Sequence, residues 1–358
     1  LLLSMIAIFG FSPALFADSK SDFYIQQAME RYFTVPEDAR SLSTAGAASQ
    51  LCEGAACIYM NAAGLGFMNS REVVGNLGFR DTRGNEFLQE GEITQSEWSG
   101  FISGAYPISS GRYGTFSAAY SRFNGQTNDS INTNPDGHNR TLGYGLAVTD
   151  SLAFGYSLTF LDDQVRTDFS DLHSHARFLH LFSSQAKLAD GYMLGGTFRL
   201  GIGQSDTEDF ELGTNGLNHV REYSGNVALS KKWDRFTGMT AFSYSRLTSH
   251  SDDEDFSAPV VLGGNEAGND YRFSLGGEYA FTEQVTLRGG YSYRNANYEF
   301  SRPQLLGLSG TLIENVWSLG LGYLFSPQHY RIRLNYGIAY SAEGNGDMQQ
   351  LIDVAIPL

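Results

Sequence analysis

The residue pattern of this 358-residue chain predicts an all-β architecture: an antiparallel, up-and-down transmembrane barrel of about 14 strands, with an N-terminal segment folded into its lumen. Fourteen segments, most of ten to fourteen residues, alternate apolar with polar or small residues. The connections between them alternate long and short without a break, and no stretch beyond residue 17 carries 18 consecutive apolar residues. The expected organisation is a leader over 1–17, a plug over 18–69 and a barrel over 70–358.

The first seventeen residues, LLLSMIAIFGFSPALFA, read as the apolar core of a secretory signal peptide. They end at small Ala17 and are followed by polar Asp18-Ser19-Lys20. With neither an initiator Met nor a basic start, the chain is expected to be truncated at its beginning; a buried helix is the competing reading. The composition is unusual in aromatics and glycine, with 20 Tyr, 25 Phe and 41 Gly, while hydrophobic residues make up 42%. A net charge of -15 opposes binding to nucleic acid and to anionic surfaces. Cys52 and Cys57, in a chain with an export signal, suit a small disulfide loop; free or metal-binding thiols are the alternatives.

Residues 39–68 differ from everything after them, being rich in Gly, Ala and Ser, nearly uncharged, and without a period of two. Small residues let backbone approach backbone, which suits a plug. Two motifs stand here: Ala39-Arg40-Ser41-Leu42 with Gly46-Ala47-Ala48, and Ile58-Tyr59-Met60-Asn61-Ala62-Ala63-Gly64-Leu65. They resemble the N-terminal hatch of the FadL-type outer-membrane transporter superfamily, which typically reads Ala-Arg-x-x-x-x-Gly-Gly-Ala and then Asn-Pro-Ala-Gly-Leu. The hatch positions carried over are Arg40, Gly46, Asn61, Gly64 and Leu65. Ala45 stands where the family has its first Gly and Ala62 where it has Pro, and the cysteines are an addition. The resemblance implies a hatch-gated outer-membrane barrel of a Gram-negative bacterium that takes up hydrophobic or amphipathic, fatty-acid-like molecules and releases them laterally through the wall.

The strands expected are 71–80, 96–107, 112–123, 139–149, 151–161, 174–188, 191–203, 220–231, 234–248, 270–281, 284–298, 314–325, 330–341 and 348–358. Alternation is clearest near the end, where Tyr330, Ile332, Leu334, Tyr336, Ile338 and Tyr340 oppose Arg331, Arg333, Asn335, Gly337 and Ala339. Short periplasmic turns and longer outer loops account for the alternating connections, whereas a soluble sandwich does not. Trp98, Tyr106, Phe123, Tyr192, Trp233, Phe281, Tyr298 and Phe325 stand at strand ends, where interfacial girdles lie. Barrels of this kind commonly finish on an aromatic residue; this chain finishes Ile356-Pro357-Leu358.

Faces assigned by alternation turn Arg177, Arg199, Arg272, Arg288, Arg294, Arg331, Arg333 and Glu278 inward, with Phe116, Tyr120, Leu179 and Leu181 as apolar exceptions in a mostly small and polar lumen. An arginine pointed into hydrocarbon costs about 2–4 kcal/mol at the midplane. A guanidinium cluster can hold a carboxylate head group, with Arg272, Arg288, Arg294, Arg331 and Arg333 as candidates; equally, these groups can pair with Glu278 and plug acids such as Glu53 to fill the barrel. Leu51, Ile58, Tyr59, Met60, Leu65 and Phe67 are the apolar plug residues expected to line a greasy pocket against the wall.

Loop acids at 162–163, 168, 171, 206, 208–209 and 252–255 read as Ca²⁺ or lipopolysaccharide-bridging positions, or as plain solvated surface. His173-x-His175 with His180 is a weak metal pattern, so no metal and no cofactor is expected. No nucleophile elbow, phosphate loop or Cys-x-x-Cys is present, and the chain is read as a non-enzyme. The expected partners are outer-membrane lipid and lipopolysaccharide together with a hydrophobic ligand. A non-transporting PorV-type adaptor binding secretion-system proteins is the runner-up, and an open porin a third reading.

Overall fold

The computed structural model describes residues 36–358 apart from 86–91, 128–133, 167–169, 210–213, 252–264, 302–307, 327–330 and 342–346. The signal segment and plug residues 18–35 therefore lie outside the described residues, as do Asp168 and the acidic run 252–255. Among the described residues no helix is long and apolar enough to cross a membrane; the crossing elements are strands.

Fourteen antiparallel strands form one closed barrel: β1 (Glu72–Asn85), β2 (Glu92–Pro107), β3 (Thr115–Thr127), β4 (Asn134–Thr149), β5 (Leu152–Arg166), β6 (Ser170–Lys187) and β7 (Tyr192–Asp209), then β8 (Thr214–Trp233), β9 (Phe236–Ser251), β10 (Asn265–Ala280), β11 (Val285–Ser301), β12 (Leu308–Phe325), β13 (Ile332–Ser341) and β14 (Asp347–Pro357). Each strand pairs with its chain neighbours, and β1 closes the ring on β14 from Glu72↔Pro357 to Asp81↔Met348. Closure leaves no free sheet edge, which an apolar bilayer would penalise. The strands outrun the expected segments mainly at the long-loop end; β1 runs on to Asn85 and β8 starts at Thr214.

The outward face is apolar. Leu77, Trp98, Ile102, Trp233, Phe273 and Leu319 are all heavily exposed, the fate of a soluble protein's core residues only when lipid is the solvent. Of the girdle positions, Trp98, Tyr106, Tyr192, Trp233, Phe281 and Phe325 are exposed. The Tyr298 side chain falls outside the described residues.

Three face assignments are corrected. Phe116 and Tyr120 point outward, 56% and 44% exposed, and Phe123 points into the lumen. Thr115, Ser117, Ala119 and Ser121 are the residues of β3 small enough to face the plug, and parity fixes the rest. Leu179 and Leu181 are buried inside, as expected.

Inside the barrel, residues 36–68 fold as a compact hatch of two short helices, Ala39–Ser43 and Cys57–Met60, and two 3-10 turns, Ser49–Leu51 and Ala62–Phe67. Asp38 caps the first helix by accepting from the Ser41 amide at 2.7 Å. The Asn61 side chain caps the last turn, accepting from the Ala63 amide at 3.1 Å. Ala39, Ala47, Ala55, Ile58, Ala62 and Leu65 are completely buried, so the protein's apolar core is the hatch itself packed on the inner wall.

Candidate functional site

The site is the hatch and its seat. Wall glycines receive the hatch where it approaches closest. A Cβ built on Gly143 would lie 2.8 Å from Ile58 Cγ1, on Gly276 2.9 Å from Thr44 Cβ, on Gly290 2.7 Å from the Ala45 amide, and on Gly337 2.6 Å from the Ala39 carbonyl. On Gly195 it would collide with the Gln50 carbonyl oxygen. These positions belong to β4, β7, β10, β11 and β13, several residues in from the short-turn end. Together they form a collar without side chains in which hatch backbone lies directly on wall backbone. Glycine interrupting a strand commonly marks such an approach.

Two polar anchors fix the hatch rotationally. Arg40 donates from Nε and Nη2 to the two oxygens of Glu278 on β10, both at 2.8 Å, and from Nη1 to the Leu51 carbonyl at 3.2 Å. Glu278 also accepts from Arg288 Nε at 2.8 Å, and Arg288 reaches Asn335 at 2.9 Å. Burial alone would lower the Arg40 pKa; the Glu278 carboxylate outweighs it, so the pKa is raised and the cation is permanent. On the other side, Asn61 Nδ2 donates to the Gln50 carbonyl at 2.7 Å and to the Ser184 carbonyl of β6 at 3.2 Å, while the Ala63 amide donates to Ser183 Oγ at 3.0 Å. The Ala-Arg and Asn-x-Ala-Gly motifs thus grip two separate wall strands, β10 and β6, four apart around the ring.

Further contacts complete the seat. Glu72, the first residue of β1, accepts from the Ala55 amide at 2.8 Å and from Arg333 at 2.6 Å. Cys52 and Cys57 are joined as a disulfide, Cα atoms 5.5 Å apart, and Gly64 leaves room for Cys57 Sγ. Tyr59 packs edge-on against Phe101, centroids 5.3 Å apart, and burial pushes its phenol up to about 12. Burial likewise raises the carboxyls of Glu37 and Asp38 above their ordinary range.

The hatch divides the lumen. On the long-loop side is a cavity of about 400 Å³ lined by Glu37, Leu42, Arg199, Arg272, Arg294 and Val316 among others. On the short-turn side one of about 490 Å³ is lined by Arg40, Glu53, Arg288, Arg333 and Asp353 among others. A third, about 220 Å³, lies between the hatch and β7–β10, with Tyr59, Met60 and Arg272 in its lining.

Most arginines of the lumen are paired. Arg294 bonds Asp270 at 2.9 Å and Glu314 at 3.3 Å, Arg80 meets Asp347 at 3.4 Å, and Arg199 meets Glu222 at 3.9 Å. Arg177, fully buried, meets Asp163 at 3.0 Å where the β5–β6 and β6–β7 registers slip. Asp163 is therefore a strand residue rather than loop surface, and so is Asp162, 3.2 Å from His138. Arg272 lines two cavities and makes no ion pair among the described residues.

Two expectations for the ligand set change. Arg331 lies before β13, exposed at the short-turn end, and does not join the lumen cluster. Ile58 and Leu65 are wholly buried because the wall closes on them, while Leu51, nearly buried, borders the mostly polar short-turn cavity. Phe67 is half-buried under the Lys187 ammonium, 4.0 Å from its ring centre. The glycine collar and the Ser183–Ser184 contacts were not foreseen, although glycine within strands was the available signal. Among the described residues no group of three or more His, Cys, Asp or Glu is placed to hold a metal ion, and the side chains of His173 and His175 fall outside them.

No protein-family model matches the sequence, and no curated protein matches it. Solved structures do. A Pseudomonas aeruginosa FadL homologue matches with TM-score 0.62 at 13% identity, over 91% of this chain and 99% of its own. The P. putida toluene transporter TodX gives 0.60 at 13%, over 90% and 98%. The CymD monoaromatic hydrocarbon channel gives 0.58 at 14%, over 91% and 98%. At these identities the likeness establishes the fold: this chain has the barrel fold of FadL-type outer-membrane channels.

Proposed function

We propose that this chain is an outer-membrane channel of a Gram-negative bacterium for passive uptake of hydrophobic or amphipathic small molecules, fatty-acid-like compounds among them. The observation that carries the reading is a lipid-facing barrel whose lumen is divided by a seated hatch, with cavities on both sides. Its likeness to a FadL homologue, to a toluene transporter and to a monoaromatic hydrocarbon channel supports it. Substrate enters from the long-loop side and rests above the hatch, where charged groups stand beside Leu42, Leu247, Val316 and Leu351. Such a lining suits a molecule with one polar end, and the guanidinium of Arg272, near Glu37 but in no ion pair among the described residues, is placed to receive it. Hatch movement then exposes Tyr59, Met60 and the buried apolar groups behind them, and opens the way through. Nothing in this sequence of events requires a chemical step.

The test is uptake into proteoliposomes carrying the purified barrel, with a labelled long-chain fatty acid and with toluene. Uptake above that of protein-free vesicles is expected for at least one. R272Q should slow the carboxylate substrate several-fold and leave toluene unchanged. Uptake no faster than in empty vesicles for both compounds would defeat the proposal.

A further inference from the structure

The outward face of β8 marks the height of the bilayer. Its outward positions run from exposed Trp233 at the short-turn end through Lys231, whose ammonium lies 3.9 Å from the Tyr192 ring centre, then Leu229, Val227 and Gly225 to exposed Tyr223. Ten residues of strand, at about 3.4 Å each and tilted by about 40°, span about 26 Å, the height of a barrel's apolar band. Tyr223 is therefore at the outer boundary, and Tyr244 and Tyr271 stand beside it on β9 and β10, rings 4.9 Å apart. The next outward residues are Arg221 on β8 and Arg246 on β9.

Their surroundings set these two arginines apart. Tyr223 lies opposite Arg246 and Thr248 opposite Arg221, so the guanidinium-bearing positions are diagonal neighbours, about 7–8 Å apart at the backbone and within reach of one small anion. Both are exposed, and neither has a carboxylate partner among the described residues. Asn269 is opposite Arg246, and the Gln204–His219 pair flanks Arg221, adding further hydrogen-bonding groups. On β3 and β4 the outward arginines have acids nearby: Arg122 meets Asp136 at 3.5 Å, and the His138 ring next to Arg140 meets Asp162 at 3.2 Å.

We propose that Arg221 and Arg246 bind the phosphate of a lipid head group in the outer leaflet. The site has two forked cations, a tyrosine shelf at the chain–head-group boundary and open lipid beneath. Guanidinium matches phosphate geometry, and the Tyr223 and Tyr244 rings lie where the first acyl carbons would pack. The chain's net charge of -15 does not decide the matter, since beyond about 8 Å exposed charges are screened at physiological salt. The inference rests on the membrane-spanning barrel alone, so failed uptake by the channel would leave it standing.

The test is native mass spectrometry of the full chain in detergent, delipidated and then offered bisphosphorylated lipid A or its dephosphorylated counterpart. Wild-type protein should retain the phosphorylated form about tenfold better. R221Q/R246Q should abolish that preference, R221K/R246K should restore part of it, and R122Q/R140Q should keep it. Heat-modifiable migration on gels confirms folded barrels for all four proteins. Equal retention by wild type and R221Q/R246Q would overturn the proposal, as would an equal loss in R122Q/R140Q, which would reduce the effect to general surface charge.

Discussion

Replacing Gly195 and Gly276 together by valine should unseat the hatch while leaving the barrel intact. The new Cβ at Gly276 would stand 2.9 Å from Thr44 Cβ and 3.0 Å from both Ala47 Cβ and the Thr44 carbonyl; at Gly195 it would collide with the Gln50 carbonyl. Overpacking of this kind costs about 1–3 kcal/mol per site. The two sites are three strands apart, about 14 Å around the wall, so their effects should add. The closed hatch would then lose about 2–6 kcal/mol, raising the unseated population by about 30-fold to 10⁴-fold. Planar-bilayer conductance reads this directly, and the double variant should pass frequent or sustained current where wild type is nearly silent. Gly75→Val and Gly225→Val are the matched controls, because a Cβ at either meets nothing within 4 Å. If G195V/G276V, shown folded by heat-modifiable migration, conducts no more than these controls, the glycine collar does not seat the hatch and the reasoning fails.

Arg40→Ala should raise basal conductance, since it breaks charged hydrogen bonds in a half-buried setting worth about 1.5–3 kcal/mol. Glu278→Ala should cost less when Arg40 is already gone, a coupling that a double-mutant cycle measures. Asn61→Ala removes the donor to Gln50 and Ser184 and the acceptor for Ala63, and should make the hatch cleavable by added protease at about 1–3 kcal/mol of lost stability. In acid, conductance should fall. Glu37 and Asp38 have pKa values raised by burial, so the seated hatch binds more protons than the free one and gains stability as pH drops through those raised values. A single-channel series from pH 7.5 to pH 5 that shows more opening in acid would contradict this sign.

Strand number, order and the short-turn ends were legible because turn residues and strict alternation coincide there. At the long-loop ends both signals vanish. β1 continues through Asp81-Thr82-Arg83-Gly84-Asn85, polar on both faces because water lies outside the barrel and inside it alike. The inversion of β3 has a similar origin. Phe116 and Tyr120 point outward and Phe123 inward, the reverse of expectation, and only the small set Thr115, Ser117, Ala119 and Ser121, shaped to the hatch, fixes the parity. Arg40 and Asn61 stood out as motif residues, yet their partners on β10 and β6 are more than a hundred positions away in sequence. Nothing local could have paired them. Apart from Arg331, the arginines expected inward do face the lumen, as the cost of burying charge in lipid requires, but whether each has a carboxylate partner is a property of tertiary register.

The hatch anchors are unequally distributed around the ring. The Ala39–Ser43 helix rests on β11–β14, the Ala62–Phe67 turn rests on β4–β6, and along β7–β10 the seat is thinner, the Ser49–Leu51 turn touching β7 and β8 beside a cavity. The polypeptide itself leaves the hatch at Met68 and enters β1 at Glu72. A body bolted on two sides and tethered at one edge does not slide out like a piston; it swings. Releasing Arg40 would free one flank while Asn61 still pins the other, so the current through such a variant should step among partial levels instead of jumping from shut to fully open. The geometry of the fastenings, more than their total strength, would then set how large a molecule each degree of release admits.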